Sequence, residues 1–147
     1  MNLSPEDQIV IHIEITNRYQ LAEKIEKKII ITRNQPCVLG RSRQHADIIL
    51  DDDAASRRHL EFRLIRHQIW IRDLQTKNGT FLNARNIDNK SLKKGDLISI
   101  GDHHIFIRSL EFNVGVGEMT SQYLLTKQME TTRNDITVTN LLKRMIG

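Results

Sequence analysis

The chain has 147 residues, 39% of them hydrophobic and 27% charged, which is material for one domain with a sizeable core. A single cysteine, Cys37, excludes an internal disulfide framework and fits a reducing cytoplasm. The opening stretch MNLSPEDQIV is acidic where a secretory leader is basic, and no apolar run approaches the ~18 residues of a membrane span.

In chain order, QIVIHIEIT puts Ile9, Ile11, Ile13 and Ile15 on one side, with His12 and Glu14 on the other, the period of a strand. NRYQLAEKIEK reads as a polar connection or a short helical turn. KIIIT, residues 28–32, is a second strand, and Pro36 breaks the chain before CVLGR. ADIILDD is a short strand ending in acids. HLEFRLIR sends Leu60, Phe62 and Leu64 inward and Glu61 and Arg63 outward, and HQIWIRDL returns with Ile69 and Ile71 on one face. TKNGTFLN holds an Asn-Gly turn signal. LKKGDLISIG and HHIFIRSLEF form a last pair. Short strands at intervals of about ten residues indicate an all-β sandwich or barrel.

From Val114 the texture changes. Residues 114–147 are threonine-rich and end in TNLLKRMIG, where Leu141, Leu142, Met145 and Ile146 fall at helical spacing. The expected organisation is a domain over 1–113 and a partly helical or disordered tail over 114–147.

Three turn segments carry chemistry. Gly40 allows an unusual backbone turn, and Arg41 after it can fork two N–H groups onto an anion. Ser56-Arg57-Arg58-His59 follows about 15 residues later, and Lys77-Asn78-Gly79-Thr80 about 20 beyond that. On a β scaffold such loops gather at one end and form a binding surface. In order and spacing, Gly40-Arg41, Ser56-x-x-His59, Asn78-Gly79 and Asn83 resemble the forkhead-associated (FHA) family, with the motif-bearing core over about 28–110. The resemblance implies a β-sandwich of about eleven strands in two sheets whose loops bind phosphothreonine peptides. It implies phosphate contacts from Arg41 and Ser56, support from Arg57 and Lys77, and a peptide-backbone contact from Asn78. Asn83 would steady the loops or touch peptide. Gly40, His59, Gly79 and Thr80 would be architectural, and Thr76 stands where many members have serine, leaving a hydroxyl available.

Other readings compete for the same residues. Ser56, His59 and Asp53 or Asp73 suggest a hydrolytic triad, but the spacing offers neither nucleophile elbow nor oxyanion hole. Adjacent strand residues His103 and His104 point to opposite faces and suit a polar strand end better than a metal. Asp51-Asp52-Asp53 lacks the spacing of a calcium loop and reads as a solvated turn. No metal, cofactor or catalysis is expected. The net charge of +4 is dispersed through KIEKK, RSR, RR and LKK among acids, and the few aromatics disfavour a nucleic-acid groove. An FHA-fold module binding an unmodified partner is the other alternative.

The expected role is therefore a cytoplasmic, bacterial phosphothreonine reader, an adaptor or regulator downstream of a Ser/Thr protein kinase. Some bacterial FHA regulators hold a Glu-Thr-Thr segment that a kinase phosphorylates and the same domain captures. Here Glu130-Thr131-Thr132 lies after the domain, with Asp135 three residues beyond Thr132. Phosphorylated Thr131 or Thr132 could thus reach the pocket in cis or drive self-association through the tail.

Overall fold

The computed structural model describes residues 7–113; the tail, with Thr131 and Thr132, lies outside the described residues. Eleven strands run through them: β1 (Gln8–Asn17), β2 (Gln20–Thr32), β3 (Cys37–Gly40), β4 (Ile48–Ile49), β5 (Leu60–Ile65), β6 (Gln68–Asp73), β7 (Thr80–Leu82), β8 (Arg85–Ile87), β9 (Asn89–Ser91), β10 (Leu97–Ile100) and β11 (His103–Asn113). They form a six-stranded sheet in the order β2-β1-β11-β10-β7-β8 and a five-stranded sheet in the order β4-β3-β5-β6-β9. No helix among the described residues is long and apolar enough to cross a membrane.

Alternation places the core as expected. Ile9, Ile11, Ile13 and Ile15 of β1 are all buried, as are Leu60, Phe62 and Leu64 of β5 and Ile69 and Ile71 of β6. Each such side chain contributes about 1.5–3 kcal/mol on removal from water. β1 is held between β2 and β11 by antiparallel pairing along its whole length.

Two local expectations are corrected. The polar stretch after β1 is neither a connection nor a helical turn: Arg18 and Tyr19 make a tight bend and the strand resumes at Gln20. Lys and Glu occur on both sides of β2 because its first nine residues are exposed on both faces, so no period of burial marks it. Asn78-Gly79 marks a bend, as its turn signal indicated. It belongs to the crossing from β6 in one sheet to β7 in the other, while Arg66-His67 and Asn83-Ala84, all with positive φ, turn the β5–β6 and β7–β8 hairpins. Glu61 faces away from the core yet is buried, because Arg63 and Arg72 close over it at 3.2 and 3.5 Å. The short polar strands β8 and β9 carry no alternation that would announce them.

Cys37 is buried at the start of β3, and burial, with the neighbouring Asp47 charge, pushes its thiol up to about 12. Only thiolate reacts rapidly. Iodoacetamide at neutral pH should therefore leave the native chain unmodified and alkylate Cys37 in urea, a difference read by mass spectrometry.

Candidate functional site

Residues 52–56 are drawn into a compact turn. Asp52 accepts the Ala54 amide on Oδ1 at 2.8 Å, and its carbonyl accepts the Ala55 amide at 2.9 Å. The carbonyls of Ala54, Ala55 and Ser56 all point at neighbouring loops. Ala54 O accepts Asn78 Nδ2 at 2.9 Å, Ala55 O accepts Arg41 Nε at 2.9 Å, and Ser56 O accepts the Arg41 amide at 2.9 Å. Ser42 N–H donates to Arg57 O at 3.2 Å. The loops after β3, before β5 and before β7 are thereby laced into one surface. This lacing has no sequence signal, because a backbone carbonyl is the same in every residue; only the small Ala54 and Ala55 hint at close approach.

His59 braces the surface from beneath. It is fully buried; its Nδ1 accepts the Ser56 amide at 2.9 Å, and Nε2 donates to Gly79 O at 2.8 Å. These partners fix the neutral tautomer with the proton on Nε2. Burial pulls its pKa below the usual histidine value, opposed by the Gly79 hydrogen bond and the charges of Asp73 and Asp52. With both ring nitrogens engaged, His59 offers no base to the Ser56 hydroxyl.

The buried Asp52 and the half-buried Asp73 support the loops. Asp52 is not part of a solvated turn, although Asp51 and Asp53 are exposed: its Oδ2 accepts His103 Nδ1 at 2.7 Å and the Asp102 amide at 2.8 Å, tying the loop before β5 to the β10–β11 turn. Burial opposes its ionisation, but His103 and the two amides hold it below the usual carboxylate range. Asp73 is likewise held low: hydrogen bonds from Thr76 and Thr80 outweigh its desolvation. Both hydroxyls donate to its Oδ1 at 2.7 Å. The Thr76 hydroxyl also accepts the Gly79 amide at 3.0 Å, so it is engaged within the loop. Among the described residues no His/Cys/Asp/Glu cluster is arranged to hold a metal.

The two motif glycines answer to space. A Cβ on Gly40 would overlap the Arg57 carbonyl, and one on Gly79, at φ +80°, would sit 2.6 Å from Asn86 Nδ2. Gly40→Ala must push the 56–58 backbone outward. A loss of about 1–3 kcal/mol is expected from such overpacking, measurable as a lower midpoint in thermal unfolding.

The sequence-predicted residues divide by position. Arg41, Arg57, Lys77 and Asn78 are exposed on the three laced loops and Ser56 is half-buried among them. Among the described residues the Ser56 hydroxyl makes no hydrogen bond, while Arg41 uses only Nε and its backbone amide, so both Nη groups remain available. Gly40, His59, Gly79 and Thr80 lie beneath or between the loops. Asn83 stands apart in the β7–β8 hairpin, where Nδ2 donates to Asp96 Oδ1 at 3.0 Å and Oδ1 accepts the Leu97 amide at 2.9 Å.

A sandwich with laced end loops presenting guanidinium, ammonium and hydroxyl donors defines a class, the loop-borne recognition module. The chain matches the FHA domain family over residues 37–101. It is 38% identical over 68 residues to the glycogen accumulation regulator GarA of Mycolicibacterium smegmatis, covering 46% of this chain and 43% of that one. It is 37% identical over 68 residues to the oxoglutarate dehydrogenase inhibitor of Corynebacterium efficiens, covering 46% and 48%. The match thus spans less than half the length of these curated relatives. Among solved structures, it is similar to the FhaA FHA domain complexed with the intracellular domain of another protein, with TM-score 0.56, 26% identity, and 68% of this chain and 99% of that chain covered. It is also similar to an FHA domain from an analysis of phosphothreonine-dependent interactions, with TM-score 0.53, 26% identity, and 67% and 96% covered.

Proposed function

We propose that this domain binds phosphothreonine in a partner protein and acts as an adaptor or regulator downstream of a Ser/Thr protein kinase. The observation that carries the reading is the fastening of Arg41. Its amide and Nε are tied to Ser56 O and Ala55 O, which leaves both Nη groups beside the loop that bears the free Ser56 hydroxyl. A phosphothreonine carries about −1.5 to −2 charges and three strong acceptor oxygens at neutral pH. Arg41 and Ser56 hold phosphoryl oxygens, Arg57 and Lys77 add positive charge, and Asn78, fastened through Nδ2 to Ala54 O, presents its Oδ1 to the peptide backbone. Asn83 acts indirectly, holding the β7–β8 hairpin against β10. The relatives' names, a regulator and an inhibitor, fit a protein that works by binding.

A degenerate phosphothreonine peptide library tests the reading. Wild type should select sequences that Arg41→Ala does not, and retained selection by the variant would refute the site. The tail supplies a candidate ligand, since Thr132 is followed at the third position by Asp135. Kinase treatment of Thr131 or Thr132 should then shift the amide resonances of residues 41–57; an unchanged spectrum there would remove the tail as ligand.

A further inference from the structure

β2 is the outer strand of the six-stranded sheet, and among the described residues no strand pairs with its far edge, which is met only at its end, where Gln35 bridges Thr32. It is also the longest strand, 13 residues, and Gln20–Lys28 is exposed throughout. A long open edge is a template for another strand. Lysines on an edge ordinarily repel such pairing, and Lys24, Lys27 and Lys28 stand here. Glu23 and Glu26 change that balance in one register.

We infer that β2 is a self-association surface on which a second copy of this chain pairs antiparallel, centred on Ile25. About that centre Ile25 faces Ile25 of the second copy, Lys24 faces Glu26, and Glu23 faces Lys27. The two-fold axis repeats each contact, as an isologous interface requires. Every charged pair among residues 23–27 is then of opposite sign. Centring on Lys24 or Glu26 instead sets like charges directly opposite one another, which destabilises a sheet.

Packing favours the same register. Ile25 is 54% exposed; paired with Ile15 in regular register, it lies on the side of β2 that carries the buried Ile29 and Ile31. The second copy covers it by placing Ile25 against itself. Glu26 meanwhile pairs across the sheet with Glu14, a like-charge contact; Lys24 of the same chain reaches Glu14 at 3.6 Å, and Lys24 of the second copy would neutralise Glu26.

Sedimentation equilibrium of the full chain tests the inference without any phosphopeptide. Wild type should sediment at twice the 17.1 kDa chain mass. Glu23→Lys with Glu26→Lys makes every pair repulsive and should raise the dissociation constant at least about tenfold. Lys24→Glu with Lys27→Glu should do the same. Mixing the two variants restores all four opposite-charge pairs and should return a dimer containing one of each, a rescue that misfolded variants cannot give. A monomeric wild type, or a dimer indifferent to these charges, would overturn the assignment.

Discussion

Arg41→Ala should weaken binding of a phosphothreonine peptide by at least about a hundredfold, while the folded domain survives. Two charge-assisted hydrogen bonds from the Nη groups contribute about 1.5–3 kcal/mol each, and every 1.4 kcal/mol is about tenfold in affinity. Little is subtracted for ordering, because the side chain is already fastened through Nε to Ala55 O. Arg41→Lys keeps the charge but not the planar fork, so it should fall between the two, nearer alanine. Ser56→Ala should lose about tenfold. The unphosphorylated peptide should bind wild type no better than the phosphopeptide binds Arg41→Ala. Since Arg41 is exposed and loses one side-chain hydrogen bond, its removal should change stability by less than about 1 kcal/mol. Isothermal titration calorimetry and urea unfolding on the same samples separate the two effects.

His59→Ala should be the reverse case, damaging the fold and the site together. The substitution leaves the Ser56 amide and the Gly79 carbonyl without their partners and opens a cavity where a fully buried ring stood. Together these should remove about 3–5 kcal/mol, with a corresponding fall in the urea midpoint. Phosphopeptide binding should fail in parallel, because the loop bearing Ser56 loses its link to the loop bearing Asn78. A pH dependence follows from the same ring. Its folded pKa is lowered from 6.5, with burial the largest cause, so over the window just below 6.5 the unfolded chain binds the proton first. Stability from this group is therefore complete above about pH 6.5 and is lost as pH falls through that window towards the folded value. Asp52 and Asp73, lowered from 3.8, lose their contributions only in the more acid range. The difference in unfolding free energy between pH 7.5 and pH 5, about the upper and lower sides of this window, should be smaller in His59→Gln than in wild type.

Legibility in the sequence followed burial. β1 was plain because Ile9, Ile11, Ile13 and Ile15 all face the core, and β5 and β6 because Leu60, Phe62, Ile69 and Ile71 do. The first part of β2 was hidden for the opposite reason: an exposed edge strand is under no demand to alternate. The loops were readable as side-chain chemistry, in Arg41, Ser56 and Asn78, but not as mechanics. The function of Asp52 depends on His103, 51 residues away, and the lacing of the loops depends on carbonyls that any residue would supply. The Asn78-Gly79 signal correctly marked a bend but could not show that the flanking strands belong to different sheets.

The central claim is that the three laced loops form one phosphate-receptive surface. A titration of the 15N-labelled chain with a phosphothreonine peptide, followed by amide shifts, tests it most directly. The expected result is a saturable set of changes confined to residues 40–42, 54–59 and 76–79, absent with the unphosphorylated peptide. Equal shifts from both peptides, or shifts centred on β2 or on the exposed Phe81 and Phe106 of the six-stranded sheet, would contradict it.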